Sequence, residues 1–291
     1  MKLCRFNGDR LGLVEDGTIA DITGALDPAV NRWPPVQGDP VIADLEGILL
    51  RAQALGGDAP RLSPADVRLN SLITAPSKIM AAPANYRAHV EQDTKDPAVD
   101  QGVHARALEG MDRPTETLGL FLKANSALAG PGDGIPIRLP GRRCDHEVEI
   151  ALIIGRTGRN IPLAEARRFV AGYMIGLDMT YRGIEDRSYR KSADGFCLLG
   201  PWMATPDEID DPDDIEFWLA VNGTERQRSS TAFLTVGISE LIALASAMYT
   251  LHPGDVIMTG TPEGVGPVVA GDTVTAGAAG IGEMTVKILA G

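Results

Sequence analysis

The sequence has little cysteine, few aromatic residues and no long apolar run. Its three cysteines among 291 residues form no Cys-x-x-Cys pair, and such an odd, sparse set favours reduced thiols over a disulfide framework. No window approaches the roughly 18 uninterrupted apolar residues of a membrane helix. The first residues, MKLCR, lack the apolar core of a signal peptide. We therefore expect a cytoplasmic protein without a membrane partner.

Basic residues are scarce relative to acidic ones. The chain has 27 Lys and Arg against 39 Asp and Glu, which gives a formal net charge of −12. Nucleic acids and anionic membranes both require a basic face, so the balance argues against either as a partner. A small anionic substrate stays open, because a bound cation can reverse the local field. The apolar share of 44% is that of an ordinary globular protein with a sizeable core.

The N-terminal part differs in pattern from the rest. Short alternating strands are predicted over 11–14 and 19–22, and apolar periodicity predicts a helix over 42–55 that a Gly-Gly-Asp-Ala-Pro run ends. We therefore predict a small N-terminal domain over residues 1–70 and a larger domain over 71–291.

Strands outnumber helices in the second part of the chain. The predicted elements are helices from residue 162 and over 239–248 and strands over 145–154, 170–179, 217–221, 256–259 and 284–289. This mixture favours a β-rich α+β fold with a mixed sheet or sandwich over a doubly wound sheet. The polar segment 91–117 lies between two apolar runs and is either a lid over a site or a solvated insertion.

The clearest chemical pattern is the run DHEVEI from Asp145 to Ile150. Side chains alternate along a strand, so Glu147 and Glu149 share the face of Asp145, while Val148 points into the core. Adjacent acids in an apolar strand repel each other and lose hydration unless a cation lies beside them. An all-oxygen set suits Mg²⁺, Mn²⁺ or Ca²⁺. The alternative is an edge strand with a wet acidic face.

Other candidate residues also have ordinary alternatives. Asp178 lies in an apolar run and is either a paired core acid or a third ligand, which one intervening helix could bring beside the other two acids. His89 and Lys191 are by default solvated surface residues. The Gly-rich turn 259–266 lacks the spacing of a Walker or dinucleotide loop, but its hydroxyls and amides can hold a carboxylate.

Several sequence blocks together resemble the fumarylacetoacetate hydrolase family, including its acylpyruvate hydrolase and oxaloacetate decarboxylase branch. The resemblance runs from about residue 79 to the C-terminus and keeps the family order of the blocks. In chain order they are NYRAH at 85–89, FLK at 121–123, GPGD at 130–133, HEVE at 146–149, GYMIGLDMT at 172–180, KS at 191–192, LGPW at 199–202, VNG at 221–223, PGDVI at 253–257 and TGTP at 259–262.

The resemblance implies a mixed β-roll or sandwich in a catalytic domain over 71–291, with 91–117 as its lid and a homodimer as its assembly. It implies Mg²⁺ or Mn²⁺ as the cofactor. The family's metal ligands fall on Glu147, Glu149 and Asp178, its catalytic lysine and lid histidine on Lys191 and His89, and its substrate contacts on Tyr86, Arg182 and Thr261.

Two positions depart from the family pattern. Relatives with hydrolase activity carry a glutamate three residues after the lid histidine, where this chain has Gln92, which we take as the partner of His89. A glutamine is common three residues after Arg182, where this chain has Glu185, which we take as a substrate contact. An amide can orient an imidazole, but it cannot stabilise an imidazolium as a carboxylate does.

The resemblance implies a divalent-metal-dependent hydrolase that cleaves a carbon–carbon bond in a 2,4-dioxo acid, such as an acylpyruvate or a fumarylpyruvate-like acid. The metal would stabilise the pyruvate enolate that leaves. Two alternatives pass through the same enolate: decarboxylation of an oxaloacetate-like acid, and isomerisation of a ring-cleavage dienoate. A third alternative is a catalytically silent protein that binds 2-oxo acids.

Overall fold

The computed structural model describes residues 1–7, 10–27, 38–55, 59–95 and 111–291. Strands dominate these ranges, and the prediction of a β-rich α+β fold is confirmed. The predicted domain boundary at residue 70 stays a prediction. No helix among the described residues combines the length and apolar character needed to cross a bilayer.

Most regular elements lie after residue 78. The strands are β1 (Lys2–Phe6), β2 (Arg10–Glu15), β3 (Thr18–Asp21), β4 (Ile79–Ala81), β5 (Phe121–Lys123), β6 (Leu128–Ala129), β7 (Ile135–Ile137), β8 (Cys144–His146), β9 (Val148–Ile154), β10 (Val170–Asp178), β11 (Thr180–Tyr181), β12 (Cys197–Ala204), β13 (Glu216–Val221), β14 (Thr224–Ser230), β15 (Val256–Met258), β16 (Gly266–Pro267), β17 (Thr273–Ala278) and β18 (Gly282–Ala290). The α-helices are α1 (Pro40–Ala43), α2 (Leu45–Leu55), α3 (Arg87–Lys95), α4 (Pro114–Leu118), α5 (Arg187–Arg190) and α6 (Ile238–Met248).

Two larger sheets carry the second part of the chain. The first has seven strands in the order β5-β4-β15-β9-β10-β12-β6, and the second has five in the order β14-β13-β17-β18-β7. A small sheet, β11-β8-β16, adjoins them, and β1, β2 and β3 form an antiparallel sheet at the N-terminus. Strands β9 and β10 are antiparallel neighbours at the centre of the seven-stranded sheet, joined through a 3₁₀ helix at Leu163–Phe169.

Both faces of strand β9 are buried, which explains its nearly continuous apolar sequence. Val148 and Ile150 belong to the main hydrophobic core, as the alternation predicts. Ala151 and Ile153 face the opposite way, into a second core cluster. Glu149 shares the parity of this second row, so a carboxylate stands where the row would otherwise continue with an apolar side chain.

The predicted strand over 145–154 is interrupted in the structure. It divides at Glu147 into β8 and β9, which belong to different sheets. The predicted helix over 42–55 also divides, into α1 and α2. Asp39 caps α1, because its Oδ1 accepts hydrogen bonds from the backbone N–H groups of Val41 and Ile42 at 3.0 and 3.2 Å.

The predicted lid is described only at its two ends. Helix α3 covers the start of the segment 91–117, and α4 covers its end. Residues 96–110 lie outside the described residues. Helix α3 begins just after Asn85, whose side chain amide donates to the carbonyl oxygens of Val236 and Thr259 at 3.0 and 2.9 Å. These bonds fix the start of the segment against β15 and the loop before α6.

Candidate active site

Three acidic side chains meet at the junction of β8, β9 and β10. Glu149 lies on β9 opposite Gly176, and Asp178 is the last residue of β10. The Asp178 backbone N–H donates to the carbonyl oxygen of Glu147 at 2.8 Å. One carboxylate oxygen from each of Glu147, Glu149 and Asp178 lies within 4.8 Å of the other two. The structure therefore brings the three predicted acids together.

These carboxylates are almost excluded from solvent. Their residues are exposed by 5%, 2% and 1% for Glu147, Glu149 and Asp178. Burial, followed by the charge of Asp178, raises the pKa of Glu149 well above its ordinary value. Burial also acts to raise the pKa of Asp178, but Lys123 and Lys191 outweigh it and lower that pKa. Without a cation, Glu149 is therefore the acid of this group whose negative charge the surroundings disfavour.

Lys191 lies directly against this acidic group. Its Nζ donates to Glu147 Oε2 at 2.6 Å and to Asp178 Oδ2 at 2.8 Å. Burial acts to lower the pKa of Lys191, but the two carboxylates outweigh it and raise that pKa. The ammonium stands 5.7 Å from the centre of the Phe121 ring. Lys191 is thus a buried, charged group, not the solvated lysine that its sequence context suggests.

A second buried lysine was not predicted as a site residue. Lys123 ends strand β5, its Nζ bonds to Asp178 Oδ1, and it also donates to the carbonyl oxygen of Phe196 at 3.0 Å. Its side chain is fully buried. The only sequence indication is a lysine directly after the apolar pair of β5, which fits an exposed strand end equally well.

The acidic group lines a cavity together with the start of α3 and with α5. The lining residues are Ala82, Pro83, Ala84, His89, Val90, Phe121, Glu147, Glu149, Asp178, Arg182, Arg187, Arg190, Lys191 and Thr261. Seven residues of this set were predicted from the sequence as ligands, catalytic groups or substrate contacts. Arg187 and Arg190 were not.

The other predicted substrate contacts, Tyr86 and Glu185, do not reach this cavity wall. Tyr86 is buried, and its hydroxyl donates to the carbonyl oxygen of Ser230 at 3.3 Å. Glu185 accepts two hydrogen bonds from the guanidinium of Arg142, at 3.0 and 2.5 Å. Both side chains are therefore held by the protein itself, in directions that a motif match does not reveal.

Gln92 binds a loop, where the sequence predicts a partner for His89. Its Oε1 accepts from the backbone N–H of Gly264 at 2.6 Å, and its Nε2 donates to the carbonyl oxygen of Val265 at 3.1 Å. The amide thus pairs with one donor and one acceptor of the backbone, and it ties helix α3 to the Gly-rich turn after β15. This arrangement requires an amide, because a carboxylate cannot donate to Val265.

The Gly-rich turn also fixes Glu149 and Thr261. The backbone N–H of Gly260 donates to Glu149 Oε2 at 2.6 Å. Gly260 has φ +99°, and a Cβ there would lie 2.8 Å from the Cβ of Asn85, so only glycine fits this turn. The hydroxyl of Thr261 donates to the Val148 carbonyl oxygen at 2.9 Å. Gln227 donates to that hydroxyl at 2.8 Å.

Arg182 forms the cationic rim beside Glu147. Its Nε donates to Asp145 Oδ2 at 2.7 Å, and its Nη2 lies 3.5 Å from Glu147 Oε1. Asp145 also accepts from Arg143 Nε at 2.8 Å, so this acid serves two arginines and stays outside the group of three. The equal spacing of Asp145, Glu147 and Glu149 does not distinguish these roles. The change of sheet at Glu147 does.

The donors present fit a hard divalent cation. Oxygen is the only ligand atom that the three acids offer, and their close approach in a buried place fits a positive ion of the Mg²⁺ or Mn²⁺ class. The nearby His146 is directed elsewhere, because its Nδ1 is 3.0 Å from Gln227 Oε1. The cavity therefore combines a cation site, a buried ammonium and the imidazole of His89.

Comparison with protein families settles the relationship of the chain. Residues 78–289 match the family described as fumarylacetoacetate (FAA) hydrolase C-terminal. The chain belongs to the fumarylacetoacetate hydrolase family. The resemblance on which the sequence analysis depends is thereby confirmed.

Full-length similarity extends to maleylpyruvate hydrolases. The chain is 48% identical over 289 residues to the maleylpyruvate hydrolase of Aquipseudomonas alcaligenes, covering 99% of each chain. It is 40% identical in sequence to the maleylpyruvate hydrolase from Sphingobium sp. SYK-6, whose crystal structure is solved in complex with manganese(II) and pyruvate. The two structures match over 100% of each chain with a TM-score of 0.72. A 5-carboxymethyl-2-hydroxymuconate delta-isomerase from Mycobacterium smegmatis is 38% identical, over 79% of this chain and 83% of that one, with a TM-score of 0.64.

Proposed function

We propose that the protein hydrolyses the carbon–carbon bond between C3 and C4 of a 2,4-dioxo acid of the maleylpyruvate type and releases pyruvate. The observation that carries this proposal is one cavity in which three buried carboxylates stand beside Lys191 and His89. The 48% identity over the whole chain to a maleylpyruvate hydrolase supports the choice of substrate. The protein is an enzyme of the metal-dependent hydrolase class.

Glu147, Glu149 and Asp178 are the residues we propose to hold Mn²⁺ or Mg²⁺. Their donor set fits such an ion, and the structure of a 40% identical relative contains manganese(II). When bound, the ion supplies a Lewis acid that stabilises negative charge on the 2-oxo oxygen of the substrate. The backbone N–H of Gly260 holds the Glu149 carboxylate in place, so this carboxylate does not need to reorient when it binds the ion.

The remaining groups of the cavity perform the proton transfers. His89 takes a proton from the water that adds to the C4 carbonyl, as a general base. The C3–C4 bond then breaks, and its electron pair leaves with the pyruvate enolate, which takes a proton at C3. The ammonium of Lys191 faces the cavity and stabilises the oxyanion that forms at C4 when water adds. The Gln92 bonds to Gly264 and Val265 hold helix α3 over this site and so help to exclude bulk water.

Isomerisation of a ring-cleavage dienoate is the second candidate, because one solved relative at 38% identity is an isomerase. It needs no attacking water and gives no pyruvate. Decarboxylation of an oxaloacetate-like acid gives carbon dioxide with pyruvate. Product analysis therefore separates the three reactions directly.

The test of the proposed function is metal-dependent product formation. Protein stripped of metal by a chelator is assayed with maleylpyruvate by the loss of its enol absorbance, before and after Mn²⁺ or Mg²⁺ is restored. We expect pyruvate and maleate in equal amounts, at a rate that falls at least about 100-fold without the ion, since the Lewis acid is worth several kcal/mol. Turnover that is equally fast after chelation would contradict the proposal.

Gln92→Glu is expected to reduce hydrolysis, although the family resemblance implies a glutamate at this position in hydrolases. The carboxylate would lose the hydrogen bond to Val265 and face its carbonyl oxygen, which weakens the attachment of α3. We expect kcat/KM for maleylpyruvate to fall about 10-fold, from a loss of roughly 1 to 2 kcal/mol. An increase in kcat would instead show that the residue acts on His89. Glu91→Gln, on the exposed side of the same helix, is the matched control.

Finer predictions from the sequence remain proposals. We propose that the protein is a homodimer in the cytoplasm and that Mg²⁺ serves as well as Mn²⁺. Size-exclusion chromatography with light scattering measures the oligomeric state. Titration of metal-stripped protein with each ion compares Mg²⁺ with Mn²⁺.

A further inference from the structure

We propose that Arg187 and Arg190 bind a second carboxylate, at the end of the substrate remote from its 2-oxo acid group. The enzyme would thereby select diacids over 2,4-dioxo acids with an uncharged acyl group. This inference rests on the proposed function. It makes two residues that the proposed mechanism does not otherwise use responsible for the choice of substrate.

Arg190 has a guanidinium that is buried without a carboxylate partner among the described residues. The residue is only 3% exposed, although it lines the cavity. Its Nε donates to the carbonyl oxygen of Glu185 at 2.8 Å, and its Nη1 donates to that of Tyr181 at 3.0 Å. Neutral carbonyl groups hold the side chain in place, and Glu147 and Glu185 act on its charge without forming an ion pair with it.

The outer nitrogen of Arg190 is available to a ligand. The hydrogen bonds of this side chain involve Nε and Nη1, and Nη2 makes none with the part of the chain that the structure describes. A guanidinium fixed at two nitrogens presents the third in a set direction. A charge buried in this way is costly unless a ligand of opposite sign completes it.

Arg187 lies one helical turn before Arg190 on α5, so the two side chains share a face of this helix. Both line the cavity that contains the three carboxylates. A guanidinium group can bind a carboxylate through two parallel hydrogen bonds, and this wall offers two such groups. Helix α5 follows β10 and β11 and precedes Lys191, so this wall and the acidic group have a fixed relative position.

The charges of the cavity wall favour an anionic ligand. Four cationic side chains and three carboxylates line it. Lys191 is paired with Glu147 and Asp178, and Arg182 is paired with Asp145. When the acidic group holds a divalent cation, the positive charges of the lining side chains and the ion together exceed the negative charges of the three carboxylates, which favours an anionic substrate. A dianionic substrate compensates the charge at both ends of the cavity.

The test compares two substrates in the metal-loaded enzyme. Maleylpyruvate carries a second carboxylate, and 2,4-dioxopentanoate carries a methyl group in its place. For Arg187→Gln we expect the ratio of kcat/KM for the diacid to kcat/KM for the monoacid to fall about 10- to 100-fold, mainly through KM for the diacid. Arg187→Lys should keep part of the preference, since it keeps the charge but loses the paired hydrogen bonds.

Two further variants complete the design. Arg190→Gln should lower the same ratio, and a circular dichroism spectrum tells whether it is folded. Arg228→Gln, which removes an exposed arginine paired with Glu225 outside the cavity, should leave the ratio unchanged. A ratio within about twofold of wild type in folded Arg187→Gln and Arg190→Gln would overturn the inference while the proposed function stands. A wild type that hydrolyses neither substrate would overturn both.

Discussion

Glu149→Gln is expected to lower the affinity for Mn²⁺ by more than about 100-fold and kcat/KM by about 1000-fold or more. The substitution keeps the shape of the side chain and its hydrogen bond from Gly260, but removes one of three charges that the cation requires. Isothermal titration of metal-stripped protein measures the affinity, and pyruvate release measures the rate. A variant that keeps near-normal turnover at saturating Mn²⁺ would contradict the assignment of Glu149.

Thermal unfolding separates loss of the cation from loss of the fold. Because burial and Asp178 disfavour the charge on Glu149, we expect metal-free Glu149→Gln to unfold at or above the temperature of the metal-free wild type. Mn²⁺ should raise the unfolding temperature of wild type, since it binds the folded state, but not that of the variant. Glu225→Gln, which removes an exposed carboxylate, is the matched control and should respond to Mn²⁺ like wild type.

Lys191→Met is expected to reduce kcat by about 100- to 1000-fold, the usual effect of losing one group that stabilises an oxyanion. Its ammonium contacts Glu147 and Asp178 at 2.6 and 2.8 Å, so it competes with a cation for the same oxygens. The variant should therefore bind Mn²⁺ at least as tightly as wild type. Replacement of a metal ligand would lower both the rate and the affinity for Mn²⁺, whereas replacement of Lys191 should lower the rate alone. The two measurements together therefore distinguish Lys191 from a metal ligand.

A variant of Lys123 serves as the comparison for the Lys191 variant. Lys123 also bonds to Asp178 but does not line the cavity, so Lys123→Met should act through the position and charge of that carboxylate. We expect it to lower protein stability, because removing one partner of a buried ion pair leaves a buried charge less compensated. Equal metal affinity and an equal fall in kcat in both lysine variants would show that Lys191 has no direct role in the reaction.

The central strands could be predicted because burial dictates their sequence. A strand that is buried on both faces is apolar throughout, so a carboxylate within it or directly before it is conspicuous. The sequence indicates Glu149 within β9 and Glu147 directly before it in this way, and Asp178 as a lone acid in a similar run. What periodicity does not show is the change of sheet at Glu147, which directs Asp145 to Arg143 and Arg182.

The roles around the cavity were harder to predict because they depend on contacts between distant segments. Gln92 accepts a hydrogen bond from the backbone N–H of Gly264, which lies 172 residues further along the chain. Glu185 meets Arg142 across 43 residues. Nothing in a local pattern specifies such pairs. Arg187 and Arg190 read locally as the polar face of a short helix, and only the position of α5 against the cavity gives them a role.

The most direct test of the central claim is one turnover by the Mn²⁺-loaded enzyme in water enriched in oxygen-18, followed by mass spectrometry of both products. Hydrolysis places one labelled oxygen in the carboxyl group that C4 becomes, so we expect maleate with a single label and an equal amount of pyruvate. The same mixture without metal should give neither product at a comparable rate. Pyruvate without labelled maleate, or an isomer of the substrate as the product, would contradict the account.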